Sequence, residues 1–330
     1  MSGVAGRFNS GWGLVFKWVI SLGLLALVLA YVPLAEIGVE LAKANFLMVA
    51  GGIGLLIVMR LVSAVRMRII TRRQGMTLSI TEILKINFVT GFFGLFLPGY
   101  IAAGAMRWHM LSGKDRKRLE ALTSVAFDRV NDMIVMLLIG GLSLATAAVE
   151  TVPPGLPWIL GGALGALIVL YLLLLNSRTT HWSQRIVVLL GLTRWTWFYR
   201  LFTRLTVSMA RFHSLSAGVR IRVWGLSLLF HVLGTLAFYL IASSLELNLS
   251  LLDVAWLRAV LSLLFMLPLS VSGIGVRETA LVVLLAPFGI SSAQAVAYSF
   301  LMMSAQLVLA GIGGLLAPGV LAASQPARSG

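Results

Sequence analysis

No cysteine occurs anywhere in the chain, which excludes disulfides, thiolate nucleophiles and cysteine-held zinc. Charge is scarce too: Asp, Glu, Lys and Arg make up 11% of the 330 residues, and only 11 residues are acidic. A soluble domain carries about a quarter charged residues, so the composition excludes an ordinary water-soluble fold. The four histidines, His109, His181, His213 and His231, are scattered without metal-ligand spacing. Gly273-x-Gly275 lacks the third glycine of a dinucleotide loop, because Glu278 stands in its place. Ser270 and Ser272 have no nearby histidine and no nucleophile-elbow pattern. These residues offer no catalytic constellation, and the expectation is a protein that is not an enzyme and uses no cofactor or metal.

What the chain has is apolar length. Hydrophobic residues reach 59% and the mean hydropathy is +0.97. Six stretches, at about 13–33, 45–64, 120–149, 156–176, 223–245 and 293–317, each supply the roughly 20 apolar residues that cross a hydrocarbon core. The run after Lys17 is too long for a signal-peptide core and reads as an anchor. Gly161-x-x-x-Gly165 in the fourth stretch is a small-residue packing motif.

The net charge of +15 is distributed unevenly. Arg66, Arg68, Arg72, Arg73 and Lys85 follow the second span, Lys114, Arg116, Lys117 and Arg118 precede the third, and eight arginines between Arg178 and Arg222 follow the fourth. The opposite loops hold Glu36, Glu40, Glu150, Glu246 and Asp253, against only Lys43 and Arg258. Basic loops lie on the cytoplasmic side, which places both termini in the cytoplasm. Residues 86–111 are apolar yet flanked by basic clusters at both ends, so they must enter and return, turning at Pro98-Gly99. The same parity makes 251–287 a second hairpin, entering from the other side and turning at 268–275, with Pro268 as its break. Irregular backbone cannot face lipid, so both hairpins must be enclosed by protein or line a wet cavity.

The expected fold class is therefore an all-α polytopic membrane protein, with about six transmembrane helices plus two re-entrant helical hairpins. Residues 1–330 form one integral membrane domain, with half-repeats 1–149 and 150–330 inverted relative to each other. Identity between the halves is slight beyond a shared Leu-Pro followed nine residues later by arginine: Pro98 to Arg107, and Pro268 to Arg277. Broken helices in corresponding positions of two halves point to a transport site. The stretch 178–222 carries eight arginines and interleaved aromatics without an acidic residue. It reads as amphipathic helices on an anionic cytoplasmic leaflet rather than as a nucleic-acid surface.

Three groups of residues are candidates for binding. Arg107, after Gly104 at the end of the first hairpin, reads as a ligand for an anionic group such as a lipid phosphate, or as an arginine snorkelling to the interface. Arg277-Glu278 follows Ser272, Gly273 and Gly275, a flexible loop ahead of a helix whose positive end favours an anion. Its other reading is an ion pair pinning the loop. Asp128, Arg129 and Asp132, with Asn131, lie inside the third span; Arg129 and Asp132 are three apart and able to pair. Charges at that depth face the protein interior, as a cavity wall for headgroup or proton or as an ion pair orienting helices.

At these residues the chain resembles the lysylphosphatidylglycerol synthase transmembrane-region family, the membrane portion of the bacterial multiple peptide resistance factor. The matching stretches are Arg72-Arg73-Gln74-Gly75, the FLPGYIAAGAMRW hairpin, Asp128-Arg129, and LPLSVSGIGVRE followed by an alanine-rich helix, over about 60–317. Where the family often has Gly-Gly-Asp, this chain has Ala103-Gly104-Ala105. The resemblance implies a flippase module of the bacterial inner membrane moving a phospholipid headgroup between leaflets. The chain stops at Gly330, so the expectation is a stand-alone member without aminoacyl-transferase activity of its own. Expected partners are phospholipids, an anionic membrane surface, a separate lipid-synthesising enzyme and a second copy of the chain; nucleic acid is not among them. An integral-membrane transferase acting on a lipid-linked headgroup, with Asp128, Asp132 or Glu278 as base, and a membrane scaffold for a lipid-synthesising enzyme are the alternatives.

Overall fold

A computed structural model describes residues 11–96, 99–113, 117–146, 152–153, 155–175, 208, 212, 215–266 and 270–324. Among these residues the chain is all helix: α1 (Gly11–Tyr31), α2 (Leu34–Lys43), α3 (Phe46–Arg73), α4 (Ile80–Phe96), α5 (Gly99–Ser112), α6 (Arg118–Ala145), α7 (Leu156–Leu175), α8 (Ala217–Ser243), α9 (Leu251–Met266), α10 (Val276–Leu285) and α11 (Ser292–Ser324), with a 3-10 turn at Ala286–Phe288. The six apolar stretches expected to span correspond to α1, α3, α6, α7, α8 and α11. Three of these, over Phe46–Arg73, Ala217–Ser243 and Ser292–Leu321, are by themselves long and apolar enough to cross a bilayer. The pair Trp18–Tyr31 and Leu34–Lys43 is a fourth candidate, bent by 87° ahead of a proline, Pro33, that cannot donate to the preceding turn.

The ends of the helices are written into the sequence. Asn45 caps α3 by accepting from the N–H groups of Leu47 and Met48. Ser79 and Glu82 exchange hydrogen bonds at the start of α4 (2.8 and 3.2 Å), and Ser250 and Asp253 do the same at the start of α9 (2.9 and 3.1 Å). This reciprocal arrangement satisfies backbone donors that a helix start leaves open. Each expected hairpin is thus two helices with the same opening device, α4 and α5 in the first, α9 and α10 in the second. Pro98 and Pro268 lie outside the described residues; Gly99 is the first residue of α5.

The outside of the bundle is apolar, and its largely apolar interior encloses a few polar groups. Trp158, Leu315, Ile221 and Leu47 are 85%, 86%, 71% and 82% exposed, whereas Arg66, Asp128, Asn131 and Ser227 are buried. Large exposed hydrophobic side chains together with enclosed charges fit a chain whose solvent is lipid. Packing is close where small residues meet. A Cβ on Gly313 of α11 would lie 2.1 Å from the Phe88 carbonyl oxygen of α4, and one on Gly140 of α6 would lie 2.3 Å from Ala259 Cβ of α9. Small residues let membrane helices approach at backbone distance.

The helix pairings come in matched sets. α3 packs on α8; α4 packs on α11 as α9 packs on α6; α5 packs on α6 as α10 packs on α11; α3 packs on α4 as α8 packs on α9. Exchanging α3–α6 for α8–α11 returns the α3–α8 contact to itself and turns each of the others into its counterpart.

Three expectations need correction. The second span does not end near residue 64: α3 runs to Arg73, and Arg66, expected in a cytoplasmic loop, is 2% exposed inside the bundle. Arg258, expected in a loop on the opposite side, belongs to α9. Arg220 and Arg222, assigned to a surface insert, sit in the first turns of α8. Most of that insert lies outside the described residues. Of the rest, Phe212 is buried and stacks on Phe127 of α6, with centroids 4.3 Å apart.

Candidate functional site

Two polar groups lie inside the bundle. The first is built on four helices around Arg66 of α3. Its Nε donates to Asp128 Oδ1 (2.7 Å), and its Nη1 donates to Asp132 Oδ1 (2.6 Å) and to Ser227 Oγ of α8 (2.8 Å). Asn131 Nδ2 donates to the same Ser227 oxygen at 2.7 Å. The guanidinium also lies over the Phe230 ring, 5.2 Å from its centroid, a contact that stabilises a cation withheld from water. Asp128, Asn131 and Asp132 share one face of α6 because they are three and four residues apart.

Arg107 of α5 completes the group. Its Nη1 donates to Asp128 Oδ2 at 3.1 Å, and Nη2 makes a long contact with Ser63 Oγ at 3.5 Å. Asp128 thereby bridges two guanidinium groups. His231 approaches Asp132 from α8, with Nε2 2.9 Å from its carbonyl oxygen and 3.2 Å from Oδ1. Arg258 of α9 extends the polar line by donating to the His231 carbonyl (2.9 Å) and to Thr235 Oγ1 (2.8 Å).

The pairing is nearly complete, as buried charge requires, but not fully. Arg107 Nε, Asn131 Oδ1 and His231 Nδ1 are buried without a hydrogen-bond partner. Arg107 is also the more open arginine: its side chain is 19% exposed against 2% for Arg66. Chemically, this is a cation with donor capacity to spare, held in place by a carboxylate that belongs to a neutralised network.

The second group is at the start of α10. Arg277 Nε donates to Ser299 Oγ of α11 (2.7 Å), and its Nη2 donates to Glu278 Oε1 (3.0 Å). Ser299 donates to the same carboxylate oxygen at 2.6 Å, and the Gly275 N–H donates to Glu278 Oε2 at 2.6 Å. Of the two readings of Arg277-Glu278, the geometry matches the internal ion pair. Both residues are 1% exposed, and the positive end of α10 is capped by the chain's own carboxylate. Arg277 Nη1 alone lacks a partner.

The loop before α10 reaches the first break. The Ser272 hydroxyl donates to the Leu95 carbonyl at 2.8 Å, with the Gly94 carbonyl at 3.3 Å, satisfying oxygens that the end of α4 leaves open. Gly275 takes φ +80° and presses on α1, where a Cβ would lie 2.6 Å from both Leu24 Cβ and the Ser21 oxygen. Gly273 is also left-handed, at φ +77°. The two broken segments therefore meet.

The structure brings Arg107, Asp128 and Asp132 together, with Gly104 one turn before Arg107 on α5, and gathers Ser272, Gly273, Gly275, Arg277 and Glu278 separately. Arg129 adds to the positive field around Asp132, whose direct partners are Arg66 and His231. Sequence reasoning missed Arg66, Ser63, Ser227, His231 and Arg258. A signal for some of them existed: Ser227, His231 and Thr235 recur every four residues on an otherwise apolar span, a polar stripe on one helix face. Among the described residues, no three His, Asp or Glu side chains converge to hold a metal ion.

The sequence pattern of the family described as Lysylphosphatidylglycerol synthase TM region matches residues 14–314. No curated protein and no solved structure matches the chain. The chain belongs to the lysylphosphatidylglycerol synthase transmembrane-region family, and it is a helical, multi-pass membrane protein with a lipid-related role.

Proposed function

We propose that the chain is a phospholipid flippase or scramblase that moves an anionic or aminoacylated phospholipid, such as lysylphosphatidylglycerol, between the leaflets of a bacterial cytoplasmic membrane. The observation that carries this reading is Arg107, an arginine inside an apolar bundle with an unpartnered Nε and partial exposure. A guanidinium suits a phosphate because its planar fork offers several donors in fixed directions. The lipid phosphate lands on Arg107 while Asp128, itself fixed by Arg66, holds that side chain, and the acyl tails stay in lipid. No covalent step is involved.

In this reading the six long helices cross the membrane, both termini are cytoplasmic, and α4–α5 and α9–α10 are re-entrant hairpins in inverted halves. Support comes from the matched helix pairings, from the capping pairs Ser79/Glu82 and Ser250/Asp253, and from the meeting of the two breaks. Exposed Arg72 and Arg73 and the basic stretch 178–222 gather anionic headgroups, or a lipid-synthesising enzyme bearing them, at the cytoplasmic face.

The test is leaflet exchange of fluorescent phosphatidylglycerol in proteoliposomes. The wild-type chain exchanges lipid and Arg107→Gln does not, while circular dichroism shows both equally helical. Equal exchange by wild type and R107Q, or none by folded wild type with any anionic, zwitterionic or aminoacylated lipid, overturns the reading.

A further inference from the structure

The flippase reading leaves one buried, titratable group without a task, and its geometry is specific. His231 Nε2 lies 2.9 Å from the Asp132 carbonyl oxygen. A carbonyl only accepts, so Nε2 carries its hydrogen whatever the charge of the ring. The lone pair of the neutral imidazole is then on Nδ1, which is buried and has no partner. Nδ1 is therefore the ring atom free to take a proton.

The charged and titratable groups around it carry both signs. Arg66 from α3 and Arg258 from α9 bond to α8, and Asp132 from α6 meets the ring. Tyr298 from α11 donates to the Phe238 carbonyl, Asp128 bonds to Arg66, and Arg129 adds to the positive field at Asp132. The connected chain Arg107–Asp128–Arg66–Asp132 holds two guanidinium groups and two carboxylates, and is neutral while His231 is neutral. A lipid phosphodiester arriving at Arg107 brings one negative charge. A proton on His231 offsets it, and the imidazolium so formed sits 3.2 Å from Asp132 Oδ1. Asp132 is shared between His231 and Arg66, so the charge on the ring is felt along the chain to Arg107.

We propose that His231 is a proton-binding site coupled to lipid-phosphate binding, so that the chain takes up one proton with each anionic lipid. An N–H bond forms at Nδ1 with a proton from water, and breaks, returning the proton to water, when the lipid leaves. Coupling of this kind is reciprocal: the proton tightens lipid binding as much as the lipid tightens proton binding. Where a proton gradient stands across the membrane, this coupling ties lipid movement to it. The inference rests on the flippase reading and on Arg107 as the phosphate ligand.

The experiment uses the full chain in mild detergent with short-chain phosphatidylglycerol as probe, over about pH 5 to 8, where imidazoles change charge. Affinity is measured at each pH, and proton uptake on mixing is followed with an indicator dye in weak buffer. Wild type takes up about one proton per lipid, and its affinity falls with rising pH by at most about tenfold per unit. His231→Gln keeps an N–H donor toward the Asp132 carbonyl but cannot take a proton. It binds with an affinity independent of pH and takes up none. Lipid binding by wild type without proton uptake overturns the proton site and leaves the flippase reading standing. Uptake that persists in H231Q places the proton elsewhere and overturns the assignment to His231. No binding at any pH overturns both readings.

Discussion

Replacing Arg66 with methionine keeps most of the side chain's volume and deletes its charge and all three of its polar bonds. The consequence is unequal for its two carboxylate partners. Asp128 retains Arg107 at 3.1 Å, whereas Asp132 retains His231 at 3.2 Å and the weaker field of Arg129. Removing one partner of a buried pair costs about 3–5 kcal/mol, because the other is left as an uncompensated buried charge. Asp132→Asn alone is milder. Arg66 keeps Asp128 and Ser227, and the cost is that of one charge-assisted hydrogen bond, about 1.5–3 kcal/mol. The double variant R66M/D132N removes the pair together and leaves Arg107–Asp128 as a balanced couple. Exchanging a whole buried pair for uncharged groups is often close to neutral, so the double variant is expected within about 2 kcal/mol of wild type. The singles then overshoot the double by about 2 kcal/mol or more, an interaction size typical of residues in one network. Reversible unfolding in mixed detergent–SDS micelles, followed by tryptophan fluorescence, supplies the four stabilities. Strictly additive losses, or an R66M variant within about 1 kcal/mol of wild type, would refute the view that Arg66 holds the polar centre together.

Two further outcomes follow from the packing and from the proposed topology. Gly313→Val is expected to cost at least about 3 kcal/mol, or prevent folding, because even its Cβ would lie 2.1 Å from the Phe88 carbonyl oxygen and the backbones must separate. Gly311→Ala, two residues earlier and open to space within 4 Å, is expected to gain about 0.5–1 kcal/mol from helix propensity; equal effects at the two positions in the same unfolding assay would contradict the α4–α11 contact. A single cysteine introduced as S291C, at an exposed position before α11, is expected to react with a membrane-impermeant maleimide added outside intact cells. Labelling only after the cells are opened would invert half of the proposed topology.

Why the helices were legible and their partners were not is a matter of range. An apolar run of about 20 residues meets the bilayer wherever it sits, and a capping pair such as Ser79 and Glu82 is three residues long, so both are local. The parity of flanking charges predicts that 86–111 and 251–287 each double back, and each range contains all or part of two helices. The polar centre has no such local mark. Arg66 meets Asp128 and Asp132 across 62 and 66 residues of chain, and nothing in the sequence states that distance. Charge counting actively misled there, because a basic residue just past an apolar window looks like a loop anchor. The 28-residue α3 carries it back inside. Arg258 was misplaced for the same reason, although Gly234 on α8 makes room for its guanidinium.

The two arginines that follow the Leu-Pro breaks look alike in sequence and differ in what surrounds them. Arg277 is bonded to Glu278 and Ser299 and is 1% exposed, its unpartnered Nη1 enclosed by the fold, and the same carboxylate also ties down the Gly275 N–H. That closed arrangement fixes the left-handed turn at Gly273 and Gly275, and so holds Ser272 against the open carbonyls of α4. Its effect is to fasten the second break to the first. Arg107 has no such enclosure: one carboxylate holds it, one nitrogen is spare, and a fifth of the side chain is exposed. A membrane protein withholds charge from lipid unless the charge is used. Of the pair, Arg277 is used by the fold itself, which leaves Arg107 as the arginine with capacity for a substrate.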